Sequence, residues 1–263
     1  MQTTNVLVAI KNIIENQAAL VLSESTQASN NRINSVGESL EAYVKDAFCN
    51  SFNTPKANRD VLYSQYFSYL GNKNNPPDAM LKGGDAIEIK KQENSSTDIA
   101  LNSSYPKDKL RTKSAMLTAA CRACEDWIEK DMLYVIGTIP KGKPLQSVWF
   151  VYGDCYAANN EVYESTLAKV SNAIHKIEDL DFEETNELAR VAKVDLLEIT
   201  YLRVRGMWHI QHPSRVFRDI APAVKVKEAF SLYTLLLESK YNSFPQADRS
   251  ALEGLRVDGF AIN

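Results

Sequence analysis

The stretch "NPPDAMLKGGDAIEIKK", residues 75–91, decides the fold prediction, because it indicates a tight β-hairpin with charges among apolar strand residues. Successive side chains of a strand point to opposite faces, which places Glu88 and Lys90 on the face opposite Ile87 and Ile89. The isoleucines can therefore enter a core while the acid and the lysine stand side by side.

The turn of this hairpin decides where a second acid lies. A three-residue loop over 82–84, with a glycine in the left-handed region, is a standard hairpin connection and puts Asp78 directly opposite Glu88. A two-residue Gly-Gly turn pairs Ala79 with Glu88 instead and turns Asp78 away. The sequence alone leaves both registers open.

Adjacent carboxylates at Asp78 and Glu88 would have a chemical use. Two carboxylates side by side repel each other unless a cation lies between them. Hard oxygen ligands without histidine or cysteine suit Mg²⁺, which binds phosphate oxygens and makes hydroxide available near neutral pH. Lys90 would orient the attacking water and stabilise the developing phosphorane charge. The cluster predicts metal-assisted phosphodiester hydrolysis.

Composition limits the class of protein. The chain has 263 residues, 44% of them apolar and 24% charged, and a net charge of −3, which is ordinary for a globular protein with a real core. It has no apolar stretch of about 18 residues, so we expect no membrane span and no membrane partner. Four cysteines do not make a disulfide framework in a chain of this length, which favours a reducing compartment, the cytoplasm.

The order of periodic segments predicts a mixed α+β fold of the α/β type in a single domain, residues 1–263. Helical spacing predicts an amphipathic N-terminal helix within 1–22 and helices over 34–48 and 114–130. Short apolar, β-rich runs at 131–139 and 147–153 predict buried strands. Helices packed on a central mixed sheet fit this order.

The basic segment 199–218 is the candidate for reading bases. Arg203 and Arg205 point the same way if they lie on a strand, and an arginine fork can bind O6 and N7 of guanine in the major groove. The alternative is that both arginines pair with the acidic run 177–187, which carries six acids and no base. Further candidate DNA contacts follow closely: Trp208, His209 and Gln211.

A second basic segment, "LNSSYPKDKLRTK" (101–113), predicts a phosphate grip. Most protein–DNA hydrogen bonds go to phosphate and sugar, and this segment offers short donors and positive charge. The candidate residues are Asn102, Ser103, Ser104, Lys107 and Lys109. The serines are equally consistent with a helix-capping loop.

A zinc site is a weaker alternative. Its four candidate ligands form a CxxC and an HxxH pattern, namely Cys121, Cys124, His209 and His212. The cysteines lie inside a helical pattern, where residues three apart are simply neighbours, and the histidines are far along the chain. We therefore do not predict a zinc site.

Pro77-Asp78 followed by Glu88-Ile89-Lys90 resembles the PD-(D/E)xK pattern of restriction-type nucleases. Together with "YFSYLGNKNNPPDAMLKGGDAIEIKK", "ALNSSYPKDKL", "KDMLYVIG" and "ITYLRVRGMWHIQHP", it resembles the NgoPII family of type II restriction endonucleases. The resemblance runs from about residue 30 to about residue 217, with a gap near 155–185, and no motif is matched after Arg218.

This resemblance implies a restriction-endonuclease-like core, a central mixed sheet flanked by helices, and a Mg²⁺ requirement. It also implies a homodimer on palindromic double-stranded DNA, with GGCC as the expected site and a cognate DNA methyltransferase acting on the same site. Nucleases with this pattern often take a third acid from an N-terminal helix, and "GESLEAYV" places Glu41 in that position. A solvated helix face is the alternative for Glu41.

Two other functions stay open: a repair or junction nuclease on the same fold, and a non-catalytic DNA-binding protein. The first would recognise DNA structure and would not need paired arginines on a strand. The second would not need Asp78, Glu88 and Lys90 together.

Overall fold

The computed structural model describes residues 3–16, 32–72, 74–114, 116–221 and 230–255, without the side chains of 32–39. Its helices are α1 Val6–Glu15, α2 Arg32–Cys49, α3 Lys56–Tyr66, α4 Ala119–Ala123, α5 Gly153–Tyr156, α6 Asn160–Ile174, α7 Pro213–Val216, α8 Glu238–Ser243 and α9 Gln246–Glu253. Its strands are β1 Phe67–Tyr69, β2 Ala79–Leu81, β3 Ala86–Gln92, β4 Ile99–Asn102, β5 Lys109–Arg111, β6 Glu129–Thr138, β7 Ser147–Tyr152, β8 Asp181–Glu183, β9 Ala189–Ala192, β10 Leu202–Val204, β11 Trp208–Ile210 and β12 Ser231–Leu235.

A mixed sheet organises the molecule, in the order β1-β2-β3-β6-β7-β12, with β5 paired to the start of β6. Strands β3 and β6 run parallel, as do β7 and β12, and the other neighbours are antiparallel. The remaining described strands form two smaller sheets, β10-β9-β8 and β11-β4. The α/β fold with a central mixed sheet flanked by helices is thereby confirmed.

The central sheet is buried on both faces. Ile87 and Ile89 pack with helices α1 and α2 in one apolar cluster. Ala86 belongs to the cluster on the other face, which includes strand β4 and receives Trp208 from β11. The alternation predicted for the second hairpin strand is confirmed, and both of its faces contact protein.

Two predicted helices were wrong in part. Within 114–130 only the short helix α4 forms, because Lys130 and Glu125 bind the hairpin turn instead and draw the chain back to the sheet. The apolar spacing of 224–241 predicts a core helix or, as the alternative, a dimer helix; residues 224–229 lie outside the described residues, and 231–235 form strand β12. Tyr233 on that strand stacks on Trp149 of β7, with ring centroids 4.1 Å apart.

The predicted N-terminal helix corresponds to α1, and the helix predicted over 34–48 corresponds to α2. The two predicted strands correspond to β6 and β7. No described helix combines the length and the apolar character needed to cross a bilayer.

Candidate active site

The hairpin adopts the three-residue loop. Leu81 N–H donates to Asp85 O at 2.9 Å, and Gly83 has φ of +63°, the left-handed conformation that glycine accepts without steric cost. Ala79 pairs with Ile87, so the register continues with Asp78 opposite Glu88. The register that brings the two acids together is therefore the observed one.

A buried lysine and a partly buried glutamate hold the turn in place. The Lys130 ammonium donates to the carbonyls of Gly84 at 2.7 Å and Leu81 at 3.1 Å. It also pairs with Glu125, whose carboxylate accepts from the Gly83 N–H at 2.9 Å. Since strand β6 carries Lys130, the sheet itself fixes the hairpin that presents the acids.

Asp78, Glu88 and Lys90 lie together on this hairpin. Lys90 Nζ is 2.6 Å from Glu88 Oε1, and Asp78 Oδ2 accepts from the Ile89 N–H at 2.6 Å. Glu88 is 9% exposed, and its Oε2 is buried without a hydrogen-bond partner among the described residues. A buried carboxylate oxygen without a partner is costly, which suits a position that accepts a cation.

The charges of this group act on one another. Burial and the neighbouring Glu88 raise the pKa of Asp78 to about 7, although Lys90 and the Ile89 N–H oppose the shift. For Lys90, burial works toward a lower pKa, but Glu88 and Asp78 outweigh it and hold the pKa above its usual value. The site therefore contains crowded negative charge beside a firmly protonated lysine.

Helix α2 brings Glu41 to the same region. An added Cβ at Gly137 would lie 2.7 Å from the Leu40 side chain, so the glycine in β6 lets α2 pack closely on the sheet. The charge of Glu41 contributes to the raised pKa of Asp78, and its carboxylate is 3.7 Å from Lys45 Nζ. In the part of the chain that the structure describes, no three carboxylate, imidazole or thiol groups converge closely enough to enclose an ion.

Lys107, which is predicted to contact phosphate, is buried in the structure. Its side chain is buried, at 3% exposure, and Nζ donates to Ser104 Oγ at 2.5 Å and to Tyr105 O at 3.0 Å. Burial lowers the pKa of Lys107 to about 8. Lys107 lines a small cavity together with Glu88, so it lies near the acid cluster, and whether it contacts phosphate stays a prediction.

The other residues of the predicted phosphate grip have separate surroundings. Lys109 Nζ lies 3.1 Å from Glu129 and 3.3 Å from Asp131, so two carboxylates already match its charge. Asn102 is exposed, and Ser103 lines a cleft with the predicted recognition residues. Whether these residues contact phosphate stays a prediction.

The two arginines do point the same way, and both reach Glu187. Arg203 binds the carboxylate with two atoms, Nε at 2.9 Å and Nη2 at 2.6 Å. Arg205 Nε lies 2.8 Å from Glu187 Oε1. Glu187 ends the acidic run, so the contact foreseen by the alternative interpretation is present, while both arginine side chains stay more than half exposed, at 53% and 60%.

These arginines line a cleft of about 710 Å³ between helix α6 and the sheet β10-β9-β8. Trp208 and Ser103 line the same cleft, so residues from the two basic segments meet there. The β11-β4 pairing explains this, because it sets Trp208 opposite Asn102. His209 and Gln211 are exposed beside them.

Two further residues, Glu187 and Arg190, belong to this cleft and were not among the predicted site residues. Arg190 lies opposite Arg203 in the β9-β10 register and pairs with Glu183 at 2.9 Å. The acidic run was the one signal that pointed to Glu187. Nothing in the local sequence singles out Arg190.

Cys121 and His212, two of the four candidate zinc ligands, make other contacts in the structure. Cys121 is buried with its sulfur 3.4 Å from the sulfur of Met80. His212 is buried, binds Thr138 and Ser214, and caps helix α7. Burial lowers the pKa of His212 to about 4.

Comparison with known proteins extends the resemblance to nearly the whole chain. The NgoPII restriction endonuclease family matches residues 4–263, which includes 155–185 and the tail after Arg218, where the sequence motifs matched nothing. The chain is 45% identical to the type II restriction enzyme NgoPII of Neisseria gonorrhoeae over 245 residues, 93% of this chain and 87% of that protein. No solved structure matches it. The chain belongs to the NgoPII restriction endonuclease family and is a type II site-specific deoxyribonuclease.

Proposed function

We propose that the protein hydrolyses phosphodiester bonds of double-stranded DNA at the palindrome GGCC, in a Mg²⁺-dependent reaction at a PD-(D/E)xK site. The observation that carries this proposal is the pairing of Asp78 with Glu88, whose Oε2 is buried without a partner among the described residues. Type II restriction enzymes generally use a divalent metal, and the donor set here consists of hard oxygen atoms, which suits Mg²⁺.

Asp78 and Glu88 would hold the metal, with Glu41 of helix α2 as a third acid near it. The bound metal would polarise the scissile phosphate and make hydroxide available near neutral pH. Lys90 stays protonated because both acids raise its pKa, so it can hold the attacking water and stabilise the charge that develops on the phosphate. The hairpin is fixed through Lys130, which keeps these groups in place before DNA binds.

Recognition would take place at the cleft that contains Arg203, Arg205 and Trp208. Ser103 lines this cleft, and its neighbour Ser104 lines the small cavity beside Glu88. Consecutive Cα atoms are about 3.8 Å apart, so the two sites meet at this dipeptide. A duplex bound at the cleft would therefore lie next to the acids that cut it.

The assembly that fits a palindrome is a homodimer with two-fold symmetry, in which each subunit cuts one strand. Sedimentation of the protein with a GGCC duplex tests this, and a monomer on DNA would contradict it. We place the enzyme in the cytoplasm, together with a DNA methyltransferase that modifies the same site.

Digestion of plasmid DNA with Mg²⁺ tests the function as a whole. We expect discrete fragments whose ends map to GGCC. A smear or nicked circles would favour a structure-specific nuclease, and intact plasmid would favour a non-catalytic DNA-binding protein. Either of these results overturns the proposal.

A further inference from the structure

Glu187 joins the two arginines of the recognition cleft. Its carboxylate accepts from Nε and Nη2 of Arg203 and lies 2.8 Å from Nε of Arg205. The Glu187 side chain is 16% exposed, whereas the arginines are more than half exposed. Glu187 therefore lies beneath the two arginines, and the guanidinium groups extend toward solvent.

The positive charges clustered in this cleft do not stabilise the fold. Arg190 and Arg203 are direct cross-strand neighbours, and like charges in that arrangement destabilise a sheet. Ion pairs between exposed side chains contribute about 0–1 kcal/mol, so the pairs with Glu187 and Glu183 do not explain the cluster. Arg190 also lies over the Tyr201 ring, 4.4 Å from its centroid. A cluster that costs stability at the mouth of a cleft suits an anionic or electron-rich ligand.

The two guanidinium groups are not equivalent. Arg203 donates one N–H from Nε and one from Nη2 to Glu187, which leaves the second N–H of Nη2 and both of Nη1 for a ligand. Arg205 makes a single ion pair with the same carboxylate, 2.8 Å from Nε to Oε1, so its guanidinium plane is fixed at one point instead of two. Binding O6 and N7 of guanine takes two parallel N–H donors from one guanidinium. Arg203 presents such a pair at Nη1 and Nη2 in a plane that Glu187 fixes at two points, whereas Arg205 is fixed at one.

We propose that Glu187 is a specificity-determining positioning residue, which holds Arg203 at Nε and Nη2 so that its end-on donors, at Nη1 and Nη2, read a guanine. Arg205 pairs with the same carboxylate and is a supporting residue in this arrangement. Holding the guanidinium before DNA arrives lowers the entropy lost when the base contact forms. The inference rests on the proposed sequence-specific cleavage of DNA and assigns different roles to the two arginines of the recognition cleft.

The test is a binding titration in Ca²⁺, which holds cleavage off, with a duplex carrying GGCC and one in which these bases are permuted to GCGC. For Glu187→Gln we expect affinity for the GGCC duplex to fall roughly 10- to 100-fold, the value of one bidentate base contact. Affinity for the permuted duplex should be unchanged or higher, because a negative charge near the phosphates is lost. Glu183→Gln is the matched control, since it breaks the Arg190 pair on the same small sheet.

Arg203→Ala should reproduce the loss of preference, whereas Arg205→Ala should lower affinity for both duplexes by similar factors. Equal losses on both duplexes for Glu187→Gln would show a merely structural role and overturn the inference. Equal gains would show that Glu187 masks the arginines, which also overturns it. Wild-type protein without preference for GGCC over GCGC refutes the proposed site, so that failure is separate from a failure of Glu187.

Discussion

Lys90 Nζ lies 2.6 Å from Glu88 Oε1, while Oε2 of the same carboxylate is buried without a partner in the described structure. One oxygen is thus held by a cation of the chain, and the other has no hydrogen-bond partner among the described residues. This division suits a carboxylate that binds a metal through one oxygen and positions a lysine through the other. It leads directly to the first prediction.

Glu88→Gln should abolish plasmid cleavage and weaken binding of Mg²⁺ or Ca²⁺ in a calorimetric titration. Partners one step removed from a metal already contribute about 10- to 100-fold to affinity, so a direct ligand should cost at least that much. Binding to duplex DNA without metal should persist, since one negative charge is removed. Glu93→Gln is the control, because Glu93 is exposed near the end of the same hairpin. Normal cleavage by the Glu88 variant would refute the site.

The raised pKa of Asp78, about 7, predicts that the metal-free protein loses stability as the pH rises from about 4 to about 7. An unfolded Asp ionises near 3.9, so in this range the unfolded chain releases a proton that the folded chain retains. Stability is therefore complete below pH 4 and reduced above pH 7. One pKa unit is a tenfold change in proton affinity and corresponds to about 1.4 kcal/mol. The loss of folding free energy is therefore no more than a few kcal/mol.

Urea unfolding in EDTA at several pH values measures this effect. Asp78→Asn should flatten the decline between pH 4 and pH 7, and Asp219→Asn, at an exposed side chain, should not. Saturating Mg²⁺ should flatten the decline for wild type as well, because the cation stabilises the ionised carboxylate. Identical pH profiles for wild type and Asp78→Asn would contradict the placement of Asp78.

Lys90→Met should leave binding of cognate DNA in Ca²⁺ within about threefold of wild type and reduce the cleavage rate in Mg²⁺ by roughly 100- to 1000-fold. That range is the cost of removing one donor that stabilises transition-state charge. Lys91→Met tests the neighbouring lysine, which faces the other side of the strand and lies 3.9 Å from Glu93. A Lys90 variant that cuts at the wild-type rate, or that loses DNA binding in proportion to its activity, would exclude this role.

The hairpin and its acids could be predicted because the relevant interactions are local. Strand alternation fixes the face of Glu88 and Lys90, whereas the register that brings Asp78 opposite depends on the turn type, which the sequence left open. The structure of the apolar run at 231–235 was harder to predict, because a short buried run suits a helix or a strand. Only its parallel pairing with β7 shows that it is a strand. The helix expected over 114–130 ended early because Lys130 contacts the hairpin turn at Gly84, which lies 46 residues away in the sequence.

The recognition cleft could be predicted only in part. Alternation indicated that Arg203 and Arg205 share a face, but the meeting with Glu187 depends on how β9 and β10 pair. Arg190 enters the cleft through the same pairing. The acidic run indicated a possible partner for the arginines, but the different contacts of Arg203 and Arg205 became visible only in three dimensions.

Lys107 and Lys109 provide the last prediction, because two lysines from one predicted phosphate grip have different surroundings. Lys107 is buried, so Lys107→Met should leave the salt dependence of DNA binding unchanged. It should lower stability by about 1–3 kcal/mol, since Ser104 Oγ and Tyr105 O lose a buried donor. Lys109→Met should weaken binding to cognate and random duplexes alike and reduce the slope of log affinity against log salt by about one. A reduced slope for the Lys107 variant would show that its ammonium reaches DNA, and urea unfolding separates that result from a loss of stability.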